Sequence, residues 1–425
     1  MERNDPRYQA YVEILKEELI PAMGCTEPIA LAYAAAKARE VLGVLPDSVQ
    51  LQVSGSIIKN VKSVIVPNTG HLKGMEAAVA AGIIAGSAEK ELEVISEVSE
   101  EKKSAIRDYL QTVPITIEHT EQGHVFDIVV TERCGQDYAR VRIADYHTNI
   151  CRIEKNGTVL YEVPLLDETV QEDARADRSL LNMQDIWDFA ETADLRDVAD
   201  LLERQIRYNN AIAEEGLLGD YGANIGRVLL TTYGNDVSNR AKAKAAAGSD
   251  ARMNGCELPV IINSGSGNQA SPARCPSSST PRSCTAARKS STAPSSSPIW
   301  WPSTKRPASA PVCLLRRGQR GCGCRRRHRV PVRRRLSAAI HTVVNALAIV
   351  SGIVCDGAKA SCAAKIASSV DAALLGYNMY KCNQEFKGGD GIVMKDIETT
   401  IKGIGRLGKD GMRQTNEEII RLMMS

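Results

Sequence analysis

The chain has 425 residues, 24% of them charged and 4% aromatic, enough for two or three compact domains of about 150 residues each. Its formal charge of +2 hides an imbalance: of 53 Lys and Arg, 16 fall in residues 271–336, which hold no Asp or Glu, leaving 37 against 51 acidic residues elsewhere. No apolar run is long and uncharged enough to cross a membrane, residues 1–6 lack an apolar signal core, and twelve unevenly spaced Cys argue against a disulfide framework, so a cytoplasmic protein with reduced thiols and no membrane partner is expected.

Residues 7–20 (RYQAYVEILKEELI) repeat apolar positions at helical spacing and stop at Pro21. PAMGCTEP (21–28) follows, then IALAYAAAKAREVLG, an Ala-rich helix that Pro28 opens at its first turn. Cys25 thus sits in a tight turn before a helix N-terminus, where the helix dipole and free N–H groups are expected to lower a thiol pKa. From Val49 to Pro67, β-branched runs (VQLQVSGSIIKN, SVIVPNTG) predict two strands, and GMEAAVAAGIIAG predicts a closely packed small-residue helix. Residues 113–163 predict further strands (VPITIEHT, VFDIVVTE, YARVRIADYHTNICRIEKNG, TVLYEV), with Asn156-Gly157 as a hairpin turn.

Acidic helical patterns fill 167–215, and 221–248 continues as small-residue helix before SDARMNGCELPVIINSGSGNQ (249–269) ends in a Gly/Ser/Asn loop. Beyond residue 336, HTVVNALAIVSGIVCDGAKASCAAKIASSVDAALLGYNMY again suits tightly packed helices. The expected fold class is α+β, with a mixed α/β N-terminal domain over 1–165 and a mainly helical, small-residue-rich domain over 166–425.

Residues 271–336 fit neither part, since nine Pro, twelve Ser and five Cys accompany their sixteen basic side chains. One reading is a disordered basic linker that binds nucleic-acid phosphates; the acidic remainder of the chain opposes it, and no nucleic-acid partner is expected. The other is a shifted reading frame. With free choice of synonymous codons, Arg274 to Pro281 allows V-P-V-I-E-Y-A in a neighbouring frame, Pro298 to Arg306 allows N-L-V-A-I-H-Q-T, and Ala310 to Arg316 allows R-L-S-A-Y-C-G in the other frame. Three windows that each return sequence like the flanks favour the frame reading. An unbroken gene read through Arg325, Arg326 and Arg327 would refute it. Cys322, Cys324 and His328 are accordingly not taken as a zinc site.

PAMGCTEP (21–28), VPNTG (66–70), SDARMNGCELPVIINSGSGNQ (249–269) and IVSGIVCDGAKASCAAK (349–365) together resemble the iron–sulfur L-cysteine desulfidases, relatives of the iron–sulfur L-serine dehydratase alpha chain. The resemblance spans both sides of 271–336, about 85 percent of the chain. It implies a [4Fe–4S] cluster, and no PLP, with three Cys ligands and one iron open to substrate; thiolates suit such clusters, and an open iron is a Lewis acid. It implies Cys355 and Cys362 as two ligands. The third, the Cys of S-A-Y-C-G, falls where this chain has Leu315, forty residues before Cys355, and Cys313 lacks the motif's neighbours. For Cys25 the resemblance implies a part in proton transfer or at the cluster.

Without the resemblance these residues say less. Cys355 and Cys362 are seven apart, about two helical turns, and share a helix face unless Asp356-Gly357 breaks it. Two Cys in an Ala-rich segment are more often small core residues. Ser264, Gly265, Ser266, Gly267, Asn268 and Gln269 form a loop whose N–H groups and amides suit a carboxylate, and Asn68, Thr69 and Gly70 form a smaller one; a plain turn is the alternative for each. Neither has phosphate-loop spacing. His71, His147 and His341 read as structural, with His147, near a strand end, placed to support the site from a second domain.

The activity implied is β-elimination of hydrogen sulfide from L-cysteine, giving pyruvate and ammonia. L-serine dehydration by the same machinery and an inactive, frame-damaged product are the alternatives. The partner expected is a small amino-acid substrate, and a homo-oligomer is allowed.

Overall fold

In helix α1 (Pro6–Glu18), Pro6 presets the first turn and Asp5 caps it by accepting from the backbone N–H of Arg7. Its Tyr8 and Tyr11 meet the edge of Phe189 at ring-centroid distances of 5.2 and 5.4 Å, which joins the start of the chain to its helical half. The computed structural model describes residues 1–120, 124–165, 176–263 and 332–424.

After strand β1 (Pro21–Met23), helix α2 (Thr26–Leu42) ends on Gly43, whose φ of 86° suits a left-handed cap that an L side chain resists. Strand β2 (Ser48–Val53) buries Val49, Leu51 and Val53 in alternation. The second half of the same predicted run departs from the strand prediction: Gly55–Val61 is helix α3, because Ile57, Ile58 and Val61 fall on one helical face and are buried together. Ile65 makes only isolated bridges, to Lys73 and to Asn254.

Helix α4 (Gly74–Ala85) crosses α2 at Gly82, where a Cβ would fall inside the carbonyl of Ala32. The Ala and Gly enrichment of both helices follows from this backbone-to-backbone approach.

After α5 (Glu100–Thr112) come β3 (Ile115–His119), β4 (Asp127–Cys134), β5 (Asp137–Ala144), β6 (Ile150–Lys155) and β7 (Thr158–Glu162). These join β2 in a six-stranded sheet of order β3-β2-β4-β5-β6-β7, antiparallel except for β2 with β3. Asn156 and Gly157, at φ 51° and 82°, make the predicted hairpin turn between β6 and β7.

The helical half contains α6 (Met183–Thr192), α7 (Leu195–Leu218), α8 (Ile225–Tyr233) and α9 (Val237–Met253). The small-residue helix predicted over 221–248 is thus two helices, broken at Gly234, with Asp236 capping α9. From Ala245 to Met253 helix α9 is buried on every side, and Gly216 of α7 and Gly226 of α8 press on its Ala247 and Ala243 carbonyls. Strand β8 (Pro259–Ile261) pairs with β1, Pro21 opposite Ile261, so residues 21–28 lie beside 249–261. Helices α10 (Val332–Val350), α11 (Ser361–Lys381), α12 (Ile397–Arg406) and α13 (Arg413–Met424) complete the layer.

The architecture is α+β, as expected. Among the described residues no helix is long and apolar enough to cross a membrane.

Candidate functional site

The four motifs meet at one place. Gly24, at φ 53°, lets the chain turn beneath α2, and a Cβ there would touch Cγ of Pro67 at 3.0 Å. Ile65 bridges Asn254, and a Cβ on Gly255 would collide with Ile65, so residues 64–71 are wedged between the Cys25 turn and the end of α9. Gly357, at φ 97°, lies against the backbone carbonyl of Lys59 where no Cβ fits, which docks the 355–357 turn onto α3. Cys25, Val64 and Met253 form a small apolar cluster against which Ala358 and Cys362 pack.

Cys25 is the N-cap residue of α2, and its Sγ donates to Oε2 of Glu27 at 3.0 Å. The same oxygen accepts from the hydroxyl of Thr26 at 3.1 Å, while Oε1 accepts from Nδ2 of Asn60 on α3 at 3.1 Å. Burial pushes the Cys25 thiol well above its ordinary range and the Glu27 charge adds to this, against the pull of Arg252. The expectation of a lowered Cys25 pKa is therefore corrected: the helix terminus is outweighed by desolvation and by a carboxylate two residues away.

Burial alone would raise Glu27 too. The charge of His147 and the bond from Cys25, with Arg252 helping, hold it instead below its ordinary value. Glu27 is thus a carboxylate that accepts from a protonated thiol. His147, from the turn between β5 and β6, acts on Glu27 through its charge, and it does so from within residues 1–165, the same part of the chain as Cys25, not from a second domain.

Asp356-Gly357 does break the helix. Cys355 lies in the irregular segment before α11, and Cys362 lies in the first turn of α11 with its Sγ donating to the carbonyl of Gly357 at 3.4 Å. Burial raises the Cys362 thiol, and the neighbouring Cys355 raises it further. Asp356, which pairs with Lys359 at 2.9 Å and with Lys365, holds the turn, as does the bond from Lys365 to the carbonyl of Val354 at 3.0 Å.

Other predicted residues separate from this cluster. Thr69 is fully buried, donates to the carbonyl of Val66 at 2.7 Å and accepts from the N–H of Leu72, and Asn68 donates to the carbonyl of Ile95 at 2.7 Å. The Thr69 side chain thus ties down its own turn, and the Asn68 amide ties that turn to residues 95 and 96, so both side chains are engaged within the fold. His341 stacks on Tyr380 and pairs with Glu385 at 2.6 Å. Tyr380 is eighteen residues along α11 from Cys362, about 27 Å. His71 is exposed beside Gly255. Ser264 to Gln269 and Leu315 lie outside the described residues.

Glu27, Asn60 and Arg252 were not singled out from sequence. The available signal for Arg252 was a charge at the end of the helix ARM beside Asp250, within an otherwise Ala-rich run.

The implied [4Fe–4S] cluster can be tested against the donors present. Cys355 and Cys362 are neighbours, but among the described residues no group of three His, Cys, Asp or Glu is disposed to hold a metal, and position 315 is Leu. The described residues do not supply the full ligand set.

The model of the family described as serine dehydratase alpha chain matches residues 89–288 and 333–421. Its break falls inside 271–336, and the match resumes one residue after α10 begins at Val332. Whole-length similarity extends to a UPF0597 protein of Desulfitobacterium hafniense (53% identical, covering 100% of this chain and 99% of that one) and another of Lachnoclostridium phytofermentans (42%, 98% and 100%). A UPF0597 protein of Treponema denticola is 39% identical over the full length of both.

Proposed function

We propose a specific reaction from a plain premise: this chain belongs to the serine dehydratase alpha chain family, whose members are dehydratase-type lyases. The reaction is β-elimination of hydrogen sulfide from L-cysteine, giving aminoacrylate, which tautomerises and hydrolyses to pyruvate and ammonia. The convergence of Cys25 and Glu27 with Cys355 and Cys362 carries this reading.

The Cys25 sulfur takes the α-proton of the substrate as its own thiol proton passes to the ionised Glu27 carboxylate 3.0 Å away, so that no free thiolate forms, and Glu27 returns that proton to the departing β-substituent. The carbanion then expels the β-substituent. A [4Fe–4S] cluster would supply Lewis-acid assistance to that leaving group, but its third ligand position is Leu315 here and no step is assigned to it.

L-serine dehydration is the second reading, favoured by the description of the matching family. Anaerobic assay of a frame-restored chain with L-cysteine and L-serine separates the two. Sulfide released with pyruvate at the higher kcat/KM for cysteine supports the desulfidase. Pyruvate from serine alone overturns it.

A further inference from the structure

We propose that Arg252 binds the α-carboxylate of an amino-acid substrate, an inference that rests on the lyase reading above. Arg252 lies in the last turn of α9 with only 2% of its surface exposed, and its buried Nε has no hydrogen-bond partner. Among the described residues no Asp or Glu comes within ion-pair distance of it. A guanidinium removed from water without a paired anion is strongly disfavoured, and the fold retains one here.

Its chain neighbour Met253 packs with Cys25 and Val64, against which Cys362 also packs, which places Arg252 at the meeting point of the motifs. Residues 264–270, which follow β8, contain no acidic side chain either. The partner missing from this inventory is an anion. A guanidinium holds a carboxylate through two parallel N–H···O bonds. Glu27 nearby disfavours a phosphate dianion but accommodates a zwitterion, whose ammonium group offsets the Glu27 charge. The class selected is therefore an α-amino acid with a free carboxylate.

Calorimetric titration of the full chain with L-alanine and with L-alaninamide tests this, since the first keeps the carboxylate and neither carries a thiol or hydroxyl. L-alanine is expected to bind roughly tenfold to a hundredfold more tightly, the range for a hydrogen-bonded charged pair. Arg252→Gln is expected to abolish that preference and Arg252→Lys to keep part of it. Equal binding of the two ligands by the parent chain overturns the proposal, as does a preference that survives in Arg252→Gln. Should thermal melts show Arg252→Gln unfolded, Arg252→Lys decides: a weakened preference supports the assignment and an unchanged one overturns it. An Arg252-dependent preference without sulfide release from L-cysteine in the frame-restored chain would leave this inference standing and remove the desulfidase reading.

Discussion

Cys25 donates its thiol proton toward Glu27 across 3.0 Å, and the two residues stand two positions apart at the start of one helix. Asn60 holds the other carboxylate oxygen from α3, so the pair is oriented by tertiary structure as well as by its own turn. The result is a buried thiol made harder to ionise beside a carboxylate made easier to ionise. The proton therefore rests on Cys25 and the charge on Glu27, the acid and base assignment that the proposed elimination uses.

Glu27→Gln breaks that arrangement. An amide presents one oxygen and one NH2, so either Asn60 or the Cys25 and Thr26 pair faces a donor where it had an acceptor. In the frame-restored chain, kcat for elimination is expected to fall on the order of 100- to 10,000-fold, with a much smaller change in KM. Steady-state kinetics check this, and a variant with parental kcat excludes Glu27 from proton transfer.

Packing of the site's supporting helices makes a prediction of opposite signs at two glycines. Gly82→Ala drives a methyl group into the Ala32 carbonyl, separating α4 from the helix that carries Cys25 at its N-cap, and a loss of about 1–3 kcal/mol is expected. Gly403→Ala, in α12, meets only Cγ of Met394 at 3.7 Å and is expected to gain about 0.5–1 kcal/mol. Urea midpoints of the two variants decide it.

What the sequence conveyed depended on how local the determining physics is. The Asn156-Gly157 turn, the Ala-rich helix after Cys25 and the small-residue helix at 74–85 follow from dihedral preference and residue size, and all three formed. Gly55–Val61 was misread because Ile57, Ile58 and Val61 satisfy a strand run by composition and a helix face by spacing. Cys25, Cys355 and Cys362 were named from their motifs, and the fold packs Cys362 against the cluster that holds Cys25. Arg252 was not named, because a charge inside a helix looks the same whether that turn faces solvent or core. The sign of the Cys25 shift was missed for the same reason: it depends on burial, which no local pattern carries.

Glu132 makes the pH dependence of stability testable. It lies on β4 with no exposed surface, and neither carboxyl oxygen has a hydrogen-bond partner. Burial raises it well above its ordinary value of 4.5, with only the charge of Arg39 opposing. The folded state therefore binds this proton more strongly than the unfolded state. The associated stability is fully present below about pH 4.5 and is lost as pH rises from there through the folded pKa. Glu132→Gln should be more stable than the parent at pH 7, on the order of 1–3 kcal/mol, with the difference vanishing below pH 4. Melting curves at the two pH values check this, and equal gains at both would remove the ionisation argument.

The last prediction concerns residues 271–336 and the cluster together. As written, position 315 is Leu, and the described residues bring Cys355 and Cys362 together without a third ligand, so the chain reconstituted anaerobically with iron and sulfide should show little cluster absorbance. Restoring the frame replaces Leu315 with Cys inside S-A-Y-C-G and returns small-residue sequence of the kind on either side. The restored chain should gain both the visible absorbance of a [4Fe–4S] cluster and sulfide release from L-cysteine. Cys355→Ala in that background should remove both again. A chain as written that forms the cluster fully would show that a Cys at 315 is dispensable, and with it the frame argument would lose its chemical consequence.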